Sequence, residues 1–265
     1  MQQADGNVVL AQGVGYPAPL PGIVARLQSY LVDGHAMRFG PLETVVSQID
    51  GQRIIFHLNM ERDPIQRCNR QGAFYEADDL AFVTTLLPPN PVVLDVGANI
   101  GNHALYFAII AKAKQVIVIE PNPLAIEPLV ANVLVNRLED VISLHHIGFG
   151  LSDRAAGGYS MKVHDRNLGA TQMKADGLGH LTVVSGDEAF PALMPDLIKI
   201  DVEGMELPVL HGLQRMIKRA RPVLMVEVTK TSHIDFALWA AKCGYATKAI
   251  SPVGPKNDNY ILVPA

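Results

Sequence analysis

The stretch VVLDVGANIG, Val92–Gly101, decides the fold. Val92–Val96 is a near-continuous apolar run, as a strand buried on both faces requires. Gly97 and Gly101 follow, and Asn102–Ala111 continues as a helix. A strand, a glycine-rich turn and a helix form the architecture of a nucleotide site. The glycines allow a tight turn and close approach of a ligand, and the amides of the helix N-terminus point at it.

The same alternation extends outward. Gln115–Ile119 reads as a second buried strand and Pro123–Asn136 as a helix with proline near its start. Val141–Ile147, Leu197–Val202 and Val223–Val228 read as further strands, Met205–Ile217 and Asp235–Cys243 as helices. Tyr245–Ala249 and Tyr260–Val263 close the chain. Their connection is too short for a parallel crossover, so the last strand is expected to be antiparallel. Strands alternating with helices predict an α/β fold, a doubly wound, mostly parallel sheet of seven strands with an N-terminal extension.

Upstream, glycine and proline punctuate Met1 to Gly40, which reads as an arm with one short helix near Ile23–Leu31. Leu42–Ile49 and Arg53–Leu58 flank Asp50-Gly51, a hairpin signal. Tyr75–Leu87 reads as a helix stopped by Pro88-Pro89. The expected division is an arm and small β element over 1–70 and the main domain over 71–265. Gly150–Glu188 reads as a long insertion with short strands at Tyr159–Val163 and Leu181–Val184, a candidate substrate-side element.

Two residues separate the cofactor classes. A dinucleotide loop has glycine where this chain has Asn99, so that a pyrophosphate can lie on the backbone. Asp95 at the strand end would repel a pyrophosphate and suits a cofactor with a cationic amino-acid end, such as S-adenosylmethionine. Its alternative role is a structural acid that ties down the loop amides. The loop residues Gly97, Ala98, Asn99, Gly101 and Asn102 are the expected cradle. Glu120, followed by Pro121 and Asn122, is placed to accept from ribose hydroxyls, or else caps the next helix. Ser152 and Asp153 are candidates near the adenine. Tyr75 and Glu76 would form a lid over the cofactor, or simply begin a helix.

The motifs DVGANIGNHALYFA (Asp95–Ala108), EPNP (Glu120–Pro123), KIDVEGME (Lys199–Glu206), EV (Glu227-Val228) and GAFYE (Gly72–Glu76) together resemble the FkbM family of S-adenosylmethionine-dependent methyltransferases. The resemblance runs from about Gly72 to the C-terminus. It implies a class I, Rossmann-like methyltransferase fold and methyl transfer to a hydroxyl of a sugar, glycoconjugate or secondary metabolite. The N-terminal arm and much of Gly157–Gly179 lie outside it.

Lys199, Asp201 and Glu203 alternate at the end of one predicted strand, and Glu206 follows at a helical step. Charges in a buried strand need partners, and Lys199 beside Asp201 and Glu227 would supply them. All lie at the carboxyl edge of the sheet, where ligands bind. A hydroxyl acceptor must lose a proton, and Glu203 or Asp201 is the expected base, with Asp201 also touching the cofactor. Two other roles stay open for Asp201, Glu203 and Glu227: ligands of a divalent metal, or a salt-bridged brace. No dedicated metal site is expected. His145, His146 and His164 are alternative bases, each more simply structural. Phe236, Leu238, Trp239 and Ala240 read as core.

Composition bounds the rest. A net charge of -4 gives no reason to expect a nucleic-acid partner. Lys218, Arg219 and Arg221 read as a solvated helix end. The two cysteines, Cys68 and Cys243, read as free thiols, and no apolar run approaches a membrane span. The expectation is a soluble cytoplasmic enzyme with a small-molecule or glycan acceptor, a homo-oligomer left open. The competing classes are a dinucleotide-dependent oxidoreductase and a non-catalytic protein that keeps the cofactor fold.

Overall fold

A computed structural model describes residues 22–162, 164 and 166–265 of the chain. Most of the expected arm, and Val163 at the end of one expected strand, lie outside the described residues. The chain begins with α1 (Gly22–Asp33) and a hairpin, β1 (Glu43–Ile49) and β2 (Gln52–Leu58). Asp50 and Gly51 turn that hairpin with positive φ of 49° and 74°, as the Asp-Gly pair demands. The short helix α2 (Pro64–Arg70) follows, and the sequence pattern did not reveal it. Asp63 caps it by accepting from Gln66 N at 2.9 Å, and proline occupies its first turn. Helix α3 (Ala77–Thr84) is shorter than predicted at both ends: Glu76 takes a left-handed conformation just before it, and residues 85–87 form a turn after it.

The main unit then alternates: β3 (Val92–Val96), α4 (Asn102–Ile109), β4 (Gln115–Ile119), α5 (Pro123–Val135) and β5 (Ile142–Ser143). The expected strand Val141–Ile147 shrinks to two paired residues before the chain turns away. An inserted unit comes next, with β6 (Gly150–Ser152), β7 (Ala156–Lys162), β8 (Gln172–Ala175) and β9 (Leu181–Ser185), then α6 (Gly186–Ala189). Its strands form their own sheet in the order β6-β9-β7-β8.

The main sheet resumes with β10 (Leu197–Ile200). The single helix expected after it is two, α7 (Glu206–Gly212) and α8 (Gln214–Ala220). A Cβ on Gly212 would sit 1.9 Å from the Ser152 carbonyl, so the chain presses against β6 there. Then come β11 (Val223–Thr229), α9 (His233–Lys242), β12 (Tyr245–Pro252) and β13 (Asn257–Pro264).

The seven strands order as β12-β13-β11-β10-β3-β4-β5. β10 runs parallel to β3 and β11, while β13 is antiparallel to β11 and β12. The inverted strand is therefore the one predicted. From β3 the chain winds outward through β4, later returning to β10 on the other side. The order reverses between β3 and β10, and their carboxyl ends open the crevice.

Alternating residues feed two apolar layers. Val93, Val116, Val118, Leu197 and Met225 face one cluster, with α1, α4, α5 and the β2 residues Ile54, Phe56 and Leu58. Leu94, Ile117, Ile119, Ile198, Ile200 and Val226 face the other, with α7, α8 and α9. Phe236, Trp239 and Ala240 are core as expected, but Leu238 is 65% exposed, on the outer side of α9. Arg221 is no solvated helix end: it donates to the Cys243 and Gly244 carbonyls and lies over the Tyr245 ring. Among the described residues, no helix is long and apolar enough to cross a membrane.

Candidate active site

Asp95 and Lys199 face each other directly across β3 and β10. Both are buried, and the Lys199 ammonium lies 3.2 Å from the Asp95 carboxylate. Lys199 also donates to the Gly97 carbonyl at 2.7 Å and lies 3.7 Å from Asp201. Burial alone would lower the Lys199 pKa, but Asp95 and Asp201 hold it above the ordinary lysine range. The expected partner Asp201 is thus present. Glu227 makes no ion pair with Lys199 among the described residues, and Asp95 takes that place. Among the described residues, neither Asp95 oxygen accepts from a loop amide; the carboxylate faces Lys199 instead.

Gly97 has φ +80°, and a Cβ there would meet the Asp201 carbonyl at 1.8 Å. The glycine therefore lets the β3 loop touch the end of β10. Gly101, at φ +89°, lies against the Leu129 side chain and sets the packing of α4 on α5. Asn99 is left-handed, and its side chain accepts from Ile100 N at 2.8 Å. The Glu120 carboxylate, buried beside the loop, accepts from Asn99 N and Asn122 N, each at 2.7 Å. Burial pushes Glu120 up to about 7 against those two bonds. Asn122 caps α5 by accepting from Leu124 N.

Two clefts open at this edge. The smaller, about 600 Å³, is bordered by Gly97, Asn99, Glu120, Pro121 and Asn122 on the sheet side. Leu151, Met161, Leu168, Thr171 and Met173 close it from the inserted unit. The larger, about 1110 Å³, holds Tyr75, Glu227, the 253–257 turn and polar residues of the insertion. Gly169, Asp201 and Glu203 border both.

The structure thus gathers Gly97 and Asn99 of the expected loop at one cleft with Glu120, Pro121 and Asn122. Ala98, Gly101 and Asn102 are buried behind it and shape it from within. Asn102 accepts from Tyr75 N at 3.0 Å and donates to Tyr75 O at 3.1 Å, pinning the Tyr75 segment to α4. Glu76 is half-buried, with its carboxylate 3.1 Å from His103 Nε2. Burial would raise its pKa, but His103 holds it below the usual glutamate value. Ser152 and Asp153 need correction, because the smaller cleft ends at Leu151. Ser152 is buried against α7, and Asp153 is exposed beside Arg154.

Asp201, Glu203 and Glu227 offer oxygens within 4.8 Å of one another. Burial raises all three pKa values, and repulsion from Asp201 adds to it at Glu203 and Glu227, as repulsion from Glu76 and Asp95 does at Asp201. Glu203 moves up to about 7 and Glu227 to about 9, while Lys199 draws Asp201 the other way. Asn257 donates to Glu227. Glu203 itself sits at φ +50°, strained backbone of a kind that collects at functional sites. Glu206 accepts from Gly204 N at 2.6 Å and holds this turn. Of the histidines, His164 borders the larger cleft. His146 packs on Phe190 at 4.8 Å, and burial together with His145 pushes it down to about 4.

Sequence reasoning missed three parts of the site. These are the methionine and leucine wall, the β12–β13 turn and the His103 partner of Glu76. Only the wall had a signal: alternation of apolar and polar residues at Met161-Lys162 and Gln172-Met173.

Reversal of strand order at a glycine loop, with acids at the ends of neighbouring strands, defines a Rossmann-like domain of the class I methyltransferase type. The family model described as "Methyltransferase FkbM domain" matches residues 95–246. The chain belongs to the FkbM methyltransferase family. It is 25% identical over 207 residues to the hexuronic acid methyltransferase AglP of Haloferax volcanii, covering 76% of this chain and 80% of that one. A 95-residue match at 34% identity, covering 34% of each chain, links it to the tRNA(Phe) (4-demethylwyosine(37)-C(7)) aminocarboxypropyltransferase of Pyrococcus horikoshii. The crystal structure of methyltransferase FkbM from Methylobacillus flagellatus KT has 21% identity and a TM-score of 0.49. That likeness covers 68% of this chain, which spans only 46% of the other.

Proposed function

We propose that this methyltransferase uses S-adenosylmethionine to methylate a sugar hydroxyl, with Glu203 as the proton acceptor. The observation that carries the reading is the meeting of two clefts at Asp201 and Glu203. One cleft suits the methyl donor, the other an acceptor.

The smaller cleft fits the donor by its unfilled polar atoms. Asn122 Nδ2 and Thr171 Oγ1 are buried there with no partner among the described residues, a donor and a donor-acceptor awaiting a ligand. Glu120, with lone pairs beyond its two backbone bonds, would take the ribose hydroxyls. Leu151, Met161, Leu168 and Met173 offer an apolar slot for a flat base. When bound, S-adenosylmethionine supplies a methyl carbon on a sulfonium, whose C–S bond breaks as an acceptor oxygen attacks.

The chain's own residues do the remainder. Lys199, fixed by Asp95 and Gly97, anchors Asp201 at the junction. Glu203, half ionised near neutral pH, takes the hydroxyl proton. Tyr75 walls the acceptor cleft. The named substrate of the hexuronic acid methyltransferase AglP supports a sugar acceptor. An acidic junction supports a small acceptor over a nucleic acid, whose phosphates it would repel.

In Glu203→Gln, formation of S-adenosylhomocysteine from S-adenosylmethionine and sugar acceptors should fall about 100- to 1,000-fold. Affinity for S-adenosylhomocysteine should not change. Full activity in this variant would refute the base assignment. The acid cluster favours one second reading, in which Asp201, Glu203 and Glu227 hold a divalent cation. Abolition of turnover by a chelator, restored by the cation, would select it.

A further inference from the structure

We infer that the acceptor is an acidic sugar, whose carboxylate is read by Lys162 and Lys256, which border the larger cleft. The inference rests on the methyl-transfer reading above and names the substrate class of that site.

The inserted hairpin carries the argument. On β7, Met161 borders the donor cleft and its neighbour Lys162 borders the acceptor cleft. On β8, Met173 and Gln172 divide in the same way. Met161 and Met173 are cross-strand partners, as are Lys162 and Gln172. The period of two along a strand makes this hairpin a partition, one face apolar and one polar. Leu168, in the loop between the strands, donates its N–H to the buried Asp63 at 2.8 Å, which ties the partition to α2.

The polar face carries a lysine. Lys162 and His164 border the acceptor cleft from the hairpin, and Lys256 borders it from the β12–β13 turn. Among the described residues, neither lysine has a carboxylate within ion-pair distance. Yet Asp201, Glu203 and Glu227 border the same cleft. The cleft thus holds both signs of charge without a direct ion pair between these lysines and its acids, although Lys256 is near enough to lower the Glu203 pKa. A neutral sugar would leave the two lysines without an anionic partner. A uronate meets both signs, carboxylate toward the lysines and a hydroxyl toward Glu203. The opposite orientation would add a further carboxylate to acids whose repulsion already raises Glu203 and Glu227. The methyl group therefore goes to a hydroxyl of the acidic sugar and not to its carboxylate.

The test is calorimetric titration of methyl glucuronoside and methyl glucoside into the full chain saturated with S-adenosylhomocysteine. The uronoside should bind about tenfold tighter at low salt, and added salt should erode the difference. Lys162→Ala/Lys256→Ala should abolish the preference while leaving S-adenosylhomocysteine affinity unchanged. Equal binding of both sugars, no binding of either, or a preference that survives in the double variant would overturn the inference. Where the uronoside is methylated, a base-stable ether supports it and a base-labile ester overturns it. Failure of the methyl-transfer reading looks different: S-adenosylhomocysteine itself does not bind.

Discussion

Lys199 ties the acids of two neighbouring strands together although it faces neither cleft. It is a buried cation in direct register with Asp95, within reach of Asp201 and of the Gly97 carbonyl. Removing one partner of such a pair leaves an uncompensated buried charge, at a cost of about 3–5 kcal/mol. Lys199→Met should therefore lower the unfolding temperature by roughly 2–4 °C for each of those kcal/mol. Lys199→Met/Asp95→Leu should recover much of the loss. A single variant that melts with the parent would contradict the pairing. Glu203 gives a second prediction at this scale. Its pKa is raised to about 7, and a base acts only when ionised, so kcat/KM should rise with pH through that value. The acid limb should vanish from the residual activity of Glu203→Gln, and a profile unchanged by the substitution would assign the limb elsewhere.

At the scale of elements, contacts between segments distant in sequence build the site. The β3 loop can reach β10 only because residue 97 lacks a side chain. Gly97→Ala combines positive φ with a Cβ inside the Asp201 carbonyl. It should cost well over the ~1 kcal/mol of an ordinary glycine replacement and weaken S-adenosylhomocysteine binding as Asp201 is displaced. Calorimetry showing parental affinity would refute that. The β1–β2 hairpin is stapled to α5 by Asn132, which accepts from His57 N and donates to the Ile100 carbonyl. Asn136 bonds both backbone groups of Ile55. Asn132→Ala strands buried backbone groups and should cost about 1–3 kcal/mol, visible in thermal unfolding. These contacts explain what the sequence did and did not reveal. The bounds of β3 and β4 are legible to the residue because near-continuous apolar runs end at turns. The Asp95–Lys199 pair needed the register between two strands about a hundred residues apart. The wall of Met161, Leu168 and Met173 needed the way the insertion folds back, with Gly158 and Gly177 at positive φ interrupting any simple pattern.

Over the whole molecule, one sheet carries two apolar layers, and its strand order reverses where the two clefts meet. The motifs at strand ends were legible because backbone geometry restricts them to glycine, asparagine and acids. The acceptor side was not, because it is assembled from the insertion and the β12–β13 turn. The central claim is that this fold holds S-adenosylmethionine at the Gly97 loop and not a dinucleotide. Thermal unfolding of the full chain with S-adenosylhomocysteine and, separately, with NAD tests it most directly. Ligand at about a hundred times its dissociation constant stabilises the folded state by about 2.7 kcal/mol, a shift of several degrees. The account predicts that shift with S-adenosylhomocysteine and none with NAD; stabilisation by NAD alone would contradict it.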